Sequence, residues 1–379
     1  MPEVSVVAYF ADDPTRTYQL VQWLPVLEVL DQQHPVALVL RDPESAELVG
    51  ARTHLPVLLA PTFPELTELY DALDAKVVLY CNNSPANFQS LVDGRMLHAH
   101  VNHGESDKQS MASNNAKAYD RVFVAGEAAV QRHTAALMEF DASRLVRIGR
   151  PQLDLRSDEV LPATERRTVL YAPTWEGDAV YNDYTSVVVL GRAIVEAVLQ
   201  VPDVRLVYKP HPKVTTSLRP DVRDAHREIL SVVAQAQELE PEAGHLAVVA
   251  GDILALMPAC DAMITDVSSV GLDWLYLRNE KPILLTDPHL DGDRLRLEVP
   301  VSRCADVVDV HTVGDLAELL GDRLEVDEHH LARVAMRHHY FDDLQVGEST
   351  ARFVDAVGEL VDLRDRLLGV VPDVGAETA

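Results

Sequence analysis

The chain has 379 residues and a formal net charge of −27, from 60 Asp and Glu against 33 Lys and Arg. A charge of this sign opposes general electrostatic binding to nucleic acid, so we expect no nucleic-acid partner. The length and a hydrophobic content of 47% suggest two domains, each large enough to bury a core.

The cysteine spacing and the lengths of the apolar segments indicate in which cellular compartment the protein resides. The three cysteines are unevenly spaced and form no Cys-x-x-Cys pair, which argues against a disulfide scaffold or a structural zinc site. The N-terminus lacks a basic segment followed by a long apolar stretch, and no run of 18 apolar residues occurs. We therefore expect a cytoplasmic protein without a signal peptide or transmembrane helix.

The first half of the chain alternates short apolar strands with amphipathic helices. The predicted strands are 4–10, 36–40, 57–60, 77–81, 97–102, 121–125 and 144–148. The helical patterns between them cover 20–30, 64–73, 85–92 and 127–140. This order is typical of a doubly wound parallel sheet, which binds ligands outside the carboxyl ends of its strands.

A second alternation follows the polar segment 154–167, where we place the domain boundary. Its predicted strands are 168–172, 204–209, 246–249, 262–265 and 283–285, and its predicted helices are 187–201, 221–238, 253–257, one that starts after 268–269, 313–320, 328–339 and a closing helix within 348–368. We predict an N-terminal Rossmann-like acceptor domain over 1–155, a C-terminal Rossmann-like nucleotide-donor domain over 165–345, a closing helix over 346–369 and a tail over 370–379. Two such α/β domains facing a cleft match the GT-B arrangement, which is an analogy of fold and not of function.

The turn after the predicted strand 262–265 is the first candidate binding site. Ser268 and Ser269 stand where a helix N-cap belongs, and a helix N-terminus with hydroxyls and free N–H groups binds anions. We interpret this turn as the site for the diphosphate of a nucleotide-activated donor, with Thr265, Asp266 and Asp273 beside it. The alternative is an ordinary N-cap without a ligand, and either aspartate is equally compatible with a structural role.

His103, followed by Gly104, stands at the carboxyl end of the predicted strand 97–102. An imidazole with a pKa near 6.5 can accept a proton at neutral pH, so His103 is a candidate general base. A histidine without function is the alternative, since the chain has 15. His98 and His100 share one face of the strand, but their spacing and the lack of a carboxylate in register do not predict a metal site.

Two further loops follow predicted strands of the second half. In Lys209-Pro210-His211-Pro212 the prolines hold an extended backbone, so Lys209 and His211 project from a stiff loop that suits phosphate groups. A proline-rich surface turn is the alternative. Thr174 and Trp175 follow the strand 168–172, and Trp175 packs either under a base or sugar or onto the core.

Several short motifs occur in a fixed order between about residue 98 and residue 355. They are His103-Gly104-x-x-x-Lys108, Gly149-x-Pro151-x-x-Asp154, Leu170-Tyr171-Ala172-Pro173-Thr174-Trp175, His211-Pro212, Asp261-x-x-Ile264-Thr265-Asp266-x-Ser268-Ser269-x-x-x-Asp273, Lys281-Pro282, Phe341-Asp342-Asp343 and Gly347-Glu348-Ser349-Thr350. Together they resemble the CDP-glycerol glycerophosphotransferase family, whose members build teichoic acid and related poly(polyol phosphate) chains. The chain departs from the family's pattern at Glu105-Ser106-Asp107, where Thr-Pro-Leu is usual, at Glu176, where a basic residue is usual, and at Val267, where Tyr is usual.

The resemblance implies transfer of a polyol phosphate, glycerol phosphate first, from a CDP-polyol to an acceptor hydroxyl with release of CMP. It implies catalytic roles for His103 as the base, for Lys108 and for His211. The substrate-binding residues that it implies are Gly104, Thr174, Trp175, Lys209, Thr265, Asp266, Ser268, Ser269 and Asp273. No metal cage is recognisable, so a divalent cation such as Mg²⁺ is left open and not predicted.

The same resemblance implies a polyol-phosphate, glycan or lipid-linked acceptor, and with it peripheral association at the inner face of the plasma membrane. Composition gives that association no support, because the chain is acidic and has no basic amphipathic helix. Two alternatives stay open. One is a GT-B glycosyltransferase that uses a UDP- or GDP-sugar, and the other is a non-catalytic family member, for which the departures at 105–107 and 176 argue.

Overall fold

The computed structural model describes residues 3–108, 111–155, 160–177 and 179–369. The predicted tail and residues 156–159 of the predicted boundary lie outside the described residues. Contacts divide the chain into two compact units. The first consists of Met1–Glu105, Ala112–Leu155 and Tyr340–Ala379, and the second of Ser106–Met111 and Arg156–His339.

The strands and helices of the described residues follow one another as βα repeats. The strands are β1 (Val6–Phe10), β2 (Val36–Leu40), β3 (Val57–Leu59), β4 (Val77–Tyr80), β5 (Leu97–His100), β6 (Arg121–Val124), β7 (Leu145–Arg147), β8 (Arg167–Ala172), β9 (Val204–Tyr208), β10 (Leu246–Ala247), β11 (Ala262–Thr265), β12 (Ile283–Thr286) and β13 (Asp306–Val308). The helices are α1 (Tyr18–Val21), α2 (Leu24–Asp31), α3 (Pro43–Gly50), α4 (Phe63–Ala72), α5 (Asn87–Ser90), α6 (Glu127–Ala136), α7 (Pro151–Asp154), α8 (Gly191–Val198), α9 (Pro212–Thr215), α10 (Pro220–Leu239), α11 (Ser269–Leu277), α12 (Gly292–Glu298), α13 (Leu316–Glu325), α14 (His330–Phe341) and α15 (Glu348–Leu367). No helix in the described ranges is both long and apolar enough to cross a bilayer.

The first unit is built on a parallel sheet in the order β3-β2-β1-β4-β5-β6-β7. Every residue of β1 and β2 is buried, because helices cover both faces of a parallel sheet and its strands are then continuously apolar. One face packs on α2 and α15, where the rings of Trp23 and Phe353 lie 5.2 Å apart. The other face packs on α4 and α6.

The second unit has a parallel sheet in the order β10-β9-β8-β11-β12-β13. One face carries the apolar sides of α8, α10 and α13. The strand order reverses direction between β8 and β11, as it does between β1 and β4 in the first unit. Ligands of doubly wound sheets bind at the carboxyl ends of strands at such a reversal. The predicted α/β class, with two doubly wound sheets, is confirmed.

Some element boundaries differ from the prediction. The helix predicted at 187–201 begins at Gly191, because the backbone N–H groups of Leu190 and Gly191 both donate to Ser186 O and close a turn before the helix. The helix predicted at 253–257 is a 3₁₀ turn over Met257–Ala259. The prediction omitted β13, α3, α7, α9 and α12, which are too short or too polar to show a hydrophobic period.

The N-terminus of α15 is capped by a residue from a distant part of the chain. Its own N-cap residue is Gly347, which has no side chain to offer. The Asp154 carboxylate, at the end of α7, accepts from Gly347 N at 2.7 Å with Oδ1 and from Thr350 N at 2.6 Å with Oδ2. A negative charge at a helix N-terminus also interacts favourably with the helix dipole. Asp154 therefore docks α15 onto the first unit.

The same contact explains a glycine of the sequence motifs. Gly149 has a φ of +72°, and a Cβ at this position would collide with the side chains of Ser349 and Leu344. Ser349 Oγ instead accepts from the backbone N–H of Arg150 at 3.0 Å. The motifs at 149–154 and 347–350, nearly 200 residues apart in sequence, are thus the two halves of one packing contact.

Removal of this cap tests its contribution to stability. We expect Asp154→Ala to destabilise the first turns of α15 by about 1–2 kcal/mol, because it leaves two backbone N–H groups without an acceptor. Native-state hydrogen exchange of the α15 amides measures this locally. The matched control is Asp355→Ala, an exposed position on the same helix, which should stay within about 0.5 kcal/mol of the wild type. Equal protection of α15 in both variants would contradict the assignment.

Candidate active site

The carboxyl end of β11 continues through a tight turn into α11. Ser268 is the N-cap residue, and Ser269 is the first residue of the helix. The hydroxyl of Ser268 does not cap the helix: its Oγ is buried and has no hydrogen-bond partner within the described residues. Because the first N–H groups of a helix lack partners inside it and carry its positive end, this turn offers donors to an anion.

Asp266 is fully buried at the same turn and ties β11 to its two neighbours. Its Oδ2 accepts from the backbone N–H groups of Thr174 at 2.7 Å and Ser186 at 3.2 Å, both in the segment after β8. Its Oδ1 accepts from the hydroxyl of Thr286, the last residue of β12, at 2.6 Å. Both carboxylate oxygens are therefore engaged by the protein, so the contacts of Asp266 are those of a structural tie.

Three further predicted residues lie around this turn. Thr265 donates its hydroxyl to Ala172 O of β8 at 2.7 Å, so this hydrogen is used within the sheet. Thr174 is buried, and its carbonyl oxygen accepts from Thr185 Oγ1 at 2.8 Å. Asp273 is buried one turn into α11. The edge of the sheet is thus held by side-chain contacts between segments that are distant in sequence.

The loop after β9 carries a cation and an imidazole to the same edge. Lys209 is buried, and its side chain forms no hydrogen bond or ion pair within the described part of the chain. Burial lowers the pKa of Lys209, and the negative charge of Asp252 offsets part of this effect. His211 is the N-cap of α9, and its Nδ1 accepts from Lys213 N at 3.2 Å. In the neutral ring the proton is then on Nε2, so His211 presents an N–H donor there.

Trp175 positions this imidazole. Its ring stacks on His211, with centroids 6.0 Å apart and planes inclined by 27°. The ammonium of Lys213 lies 3.7 Å from the centre of the Trp175 ring, a cation–π contact. Trp175 also packs against the core of the second unit. The tryptophan therefore joins the core to the His211 loop, and Lys213 adds a positive charge that the sequence-based prediction did not include.

In the first unit, His103 follows β5 on a constrained backbone. The preceding residue, Asn102, has a φ of +54°, an uncommon conformation for a residue other than glycine. It is held there by the buried Trp23, whose Nε1 donates to Asn102 O at 2.5 Å, while Asn102 Oδ1 accepts from His103 N at 2.8 Å. The imidazole meets the ring of Tyr18 edge to face at a centroid distance of 6.1 Å. The half-buried imidazole of His103 is therefore fixed at the end of its strand.

The motif that begins at His103 is divided between the two units. Gly104 belongs with His103 to the first unit, whereas Lys108 belongs to the second. The Nζ of Lys108 lies 5.9 Å from the centre of the Tyr184 ring. Tyr184 lies in the segment after β8, which also contains Thr174, Trp175 and Ser186. Lys108 thus joins the residues at the carboxyl edge of the second sheet.

The structure brings most of the predicted residues together at one edge. In the second unit this edge holds residues at or after the carboxyl ends of β8, β9 and β11, namely Thr174, Trp175, Lys209, His211, Thr265, Asp266, Ser268, Ser269 and Asp273. Sequence-based prediction missed the supporting residues Tyr18, Trp23, Tyr184, Ser186, Lys213 and Thr286. Lys213 and Ser186 could have been recognised in the sequence, since each is within a few residues of a strand or helix start. The other residues can be recognised only from the structure. No group of three or more His, Cys, Asp or Glu placed to hold a metal occurs among the described residues.

A family comparison covers most of the chain. Residues 94–359 match the model of the family CDP-glycerol:poly(glycerophosphate) glycerophosphotransferase, which is more than half of the sequence. None of the curated proteins matches the sequence.

Solved structures resemble the whole chain. A putative UDP-N-acetylglucosamine 2-epimerase from Listeria monocytogenes has a TM-score of 0.62 at 16% identity, over 96% of this chain and 98% of that one. The wall teichoic acid polymerase TagF has a TM-score of 0.61 at 14% identity, over 95% and 90%. An H444N variant of TagF soaked with CDPG has a TM-score of 0.57 at 14% identity, over 96% and 90%. At these identities the likeness shows the fold alone, and it confirms the predicted GT-B-like fold.

The Asp266 tie predicts a difference between two substitutions. In Asp266→Asn, the amide oxygen can accept from Thr174 and Ser186 while the amide nitrogen donates to the Thr286 hydroxyl. We expect the free energy of unfolding of this variant at pH 7 to lie within about 1 kcal/mol of the wild-type value. In Asp266→Ala the free energy of unfolding should fall by about 2–4 kcal/mol, because the substitution leaves buried N–H groups unpaired. Chemical denaturation of both variants measures the difference, and an equal loss in the two would contradict the tie.

The pH dependence of stability should also differ between the wild type and Asp266→Asn. Burial raises the pKa of Asp266 to about 6, although the hydrogen bonds from Ser186, Thr286 and Thr174 lower it. A raised pKa contributes stability that is fully present below the ordinary value near 4 and is lost as the pH rises through the folded value near 6. Between pH 4 and pH 7 the wild type should therefore lose about 2 kcal/mol relative to Asp266→Asn. A stability difference that is constant across this range would exclude the shift.

Proposed function

The chain belongs to the CDP-glycerol:poly(glycerophosphate) glycerophosphotransferase family, and on that premise we propose that it transfers a polyol phosphate from a CDP-activated donor to an acceptor hydroxyl and releases CMP. Membership makes it a transferase. Glycerol phosphate is the group that we propose first, because the family is described by it. The product is a teichoic-acid-like or capsule polymer.

The observation that carries this proposal is the unpaired, buried hydroxyl of Ser268 at the start of α11. A buried polar atom without a partner costs about 1–3 kcal/mol, and a ligand oxygen at this position would remove that cost. The first backbone N–H groups of α11, of which Ser268 is the N-cap, favour an anion. Lys209 and the Nε2–H of His211 add donors at the same edge of the second sheet. We assign these groups to the donor diphosphate.

The proposed reaction is an in-line displacement at phosphorus. The acceptor hydroxyl loses its proton to His103 and forms a bond to the phosphorus nearer the polyol. The bond from that phosphorus to the oxygen of CMP breaks, and CMP leaves with the electron pair. Such transfers depend on positioning and charge stabilisation more than on covalent chemistry with the protein. The fixed backbone at Asn102 and the contact with Tyr18 support a positioned base.

The remaining residues would stabilise charge or orient these groups. Lys108 and Lys209 would balance the negative charge that builds on the leaving phosphate. Trp175, stacked on His211, would hold the imidazole toward the donor. Gly104, Thr174, Thr265, Asp266, Ser269 and Asp273 complete the substrate-binding set, with Thr174, Thr265 and Asp266 acting through the loop contacts described above.

The acceptor is proposed from the family alone. A polyol-phosphate, glycan or lipid-linked chain would bind to the first unit, which carries His103. A lipid-linked acceptor would place the protein at the inner face of the plasma membrane by peripheral association, in an otherwise cytoplasmic location. We divide the chain functionally into an acceptor part over 1–155, a donor part over 165–345 and the closing helix over 346–369.

A donor panel tests the reaction. We expect CMP release from CDP-glycerol or CDP-ribitol when a short polyol-phosphate acceptor is present, and tight binding of these donors in isothermal titration. UDP- and GDP-sugars are the matched comparison, since they share the diphosphate but not the base. Binding of only UDP- or GDP-sugars would replace the proposal by a GT-B glycosyltransferase. Tight CDP-polyol binding without CMP release under any acceptor would indicate a non-catalytic member.

Substitution of the base gives the second test. We expect His103→Ala to lower kcat by about 10²–10⁴-fold, which is the usual contribution of a general base, with an unchanged Tm. The control is His54→Ala, because His54 is an exposed histidine of the same unit. CMP release under saturating donor and acceptor measures both. Turnover of His103→Ala near the wild-type rate would remove His103 from the mechanism.

A further inference from the structure

A second cluster of polar side chains lies at the strand-order reversal of the first unit. Asp12 follows β1, and Asn82 and Ser84 follow β4, the two strands at which the order reverses. Ser84 Oγ donates to Asp12 Oδ1 at 2.7 Å, and Asn82 Nδ2 donates to Asp12 Oδ2 at 2.8 Å. In doubly wound sheets this is the place where a ligand binds. The sequence motifs did not point to any of these residues.

The orientation of the Asn82 amide is determined by its partners. A carboxylate only accepts, so the atom that faces Asp12 must be the amide nitrogen. The same nitrogen also donates to Gln19 Oε1 at 3.2 Å. The Asn82 amide oxygen is therefore on the other side, where it is buried and accepts no hydrogen bond from the described residues. Asn82 itself is 2% exposed.

Asn87 repeats this arrangement next to Asn82. Its Nδ2 donates to Asn82 O at 2.7 Å, and to the hydroxyl of Tyr119 at 3.2 Å. Because a backbone carbonyl only accepts, this amide is also oriented without ambiguity. The Oδ1 of Asn87 is buried and lacks a donor in the part of the chain that the structure describes. Two adjacent asparagines thus present acceptor oxygens that the protein does not use.

A neutral histidine completes the cluster. The ring of His100 stacks on Tyr119, with centroids 5.1 Å apart and planes inclined by 26°. Burial lowers the pKa of His100 to about 4, so the ring is uncharged at neutral pH. Its Nε2 is a third buried polar atom that has no partner among the described residues. Most buried polar atoms of folded proteins are hydrogen-bonded, so three neighbouring exceptions require an explanation.

The chemistry of these atoms selects the ligand. The two amide oxygens can only accept, and the carboxylate bonded to the cluster, Asp12, has the guanidinium of Arg16 3.9 Å from its Oδ2. Phosphate oxygens are acceptors as well, so they would form no hydrogen bond with these amide oxygens. Hydroxyl groups satisfy the cluster, since each O–H donates to an amide oxygen and remains able to accept. An uncharged, hydroxyl-rich group is therefore the ligand that fits.

We propose that Asn82, Asn87 and His100, with Asp12 behind them, form a subsite for the free hydroxyls of the acceptor polyol and not for its phosphates. This inference rests on the proposed function for the identity of the acceptor, but not for the chemical class of the ligand.

The subsite is connected to the proposed base through α1. Gln19, which contacts the Asn82 amide, is the neighbour of Tyr18 and donates to its hydroxyl at 3.4 Å. The Tyr18 ring in turn contacts the imidazole of His103. His100 is the last residue of β5, and His103 follows it. A polyol that contacts His100 would therefore lie at the strand end that carries the base, held through its non-reacting hydroxyls, which is how an enzyme can select one hydroxyl for attack.

Side-chain amide signals of selectively ¹⁵N-labelled asparagine test the subsite in the wild-type full chain. Ribitol or glycerol should shift the side-chain amide signals of Asn82 and Asn87, whereas inorganic phosphate at the same concentration should not shift them. The exposed Asn114 is the internal control and should respond to neither. Absence of any shift with the polyols would overturn the proposal and would leave buried water as the partner of these atoms. An equal response to phosphate would overturn the preference for hydroxyls.

Kinetics give the second arm. Asn82→Ala and Asn87→Ala should each raise the KM for a polyol-phosphate acceptor about tenfold or more, the effect of one lost hydrogen bond, with the KM for the CDP-polyol unchanged. Asn114→Ala should leave both constants unchanged. Unchanged acceptor KM in folded Asn82→Ala and Asn87→Ala would overturn the proposal. If the wild type releases no CMP from any donor, the proposed function fails, and the amide shifts with ribitol still decide the subsite.

Discussion

One buried carboxylate organises the carboxyl edge of the second sheet. Parallel strands end without a turn that joins them to their neighbours, so the segments after β8, β11 and β12 need another connection. Asp266 supplies it by accepting from Thr174, Ser186 and Thr286. The connection extends further, because Pro173 O, next to Thr174, accepts from His211 N at 2.9 Å. The positions of Trp175 and His211 therefore depend on a carboxylate that need not touch a ligand.

In the first unit, the residue at the carboxyl end of the sheet is positioned by its backbone and not by a buried carboxylate. There the backbone itself is constrained: Asn102 has a left-handed conformation, and Trp23 holds its carbonyl group from the core. A non-glycine residue in this conformation costs about 1–3 kcal/mol and persists only where its surroundings determine it. Trp23 packs on Phe353 of α15, which Asp154 docks onto the unit. The conformation at His103 thus depends on the helix that ends the described chain.

The sequence alone predicted the strands well, because buried parallel strands are short apolar runs and β1, β2 and β11 have no competing pattern. It also singled out Asp266, either beside a ligand or in a structural role, but a motif cannot show that the partners of this carboxylate come from residues 174, 186 and 286. The motifs at 149–154 and 347–350 were separate signals in the sequence and are one contact in the structure. Asn82 and Asn87 gave no signal, since a polar loop residue is common and only its unused oxygen is informative.

The carboxyl edges of the two sheets, each considered by itself, differ in the hydrogen-bonding groups that they leave unused. The edge of the second unit offers donors and positive charge, from the α11 N-terminus, Ser268, Lys209 and Lys213. The edge of the first unit offers acceptors next to Asp12. The net charge of −27 does not determine the local field at the former, because fields of exposed charges are screened over about 8 Å at physiological salt. Each edge is therefore characterised by its local hydrogen-bond donors or acceptors and not by the net charge of the chain.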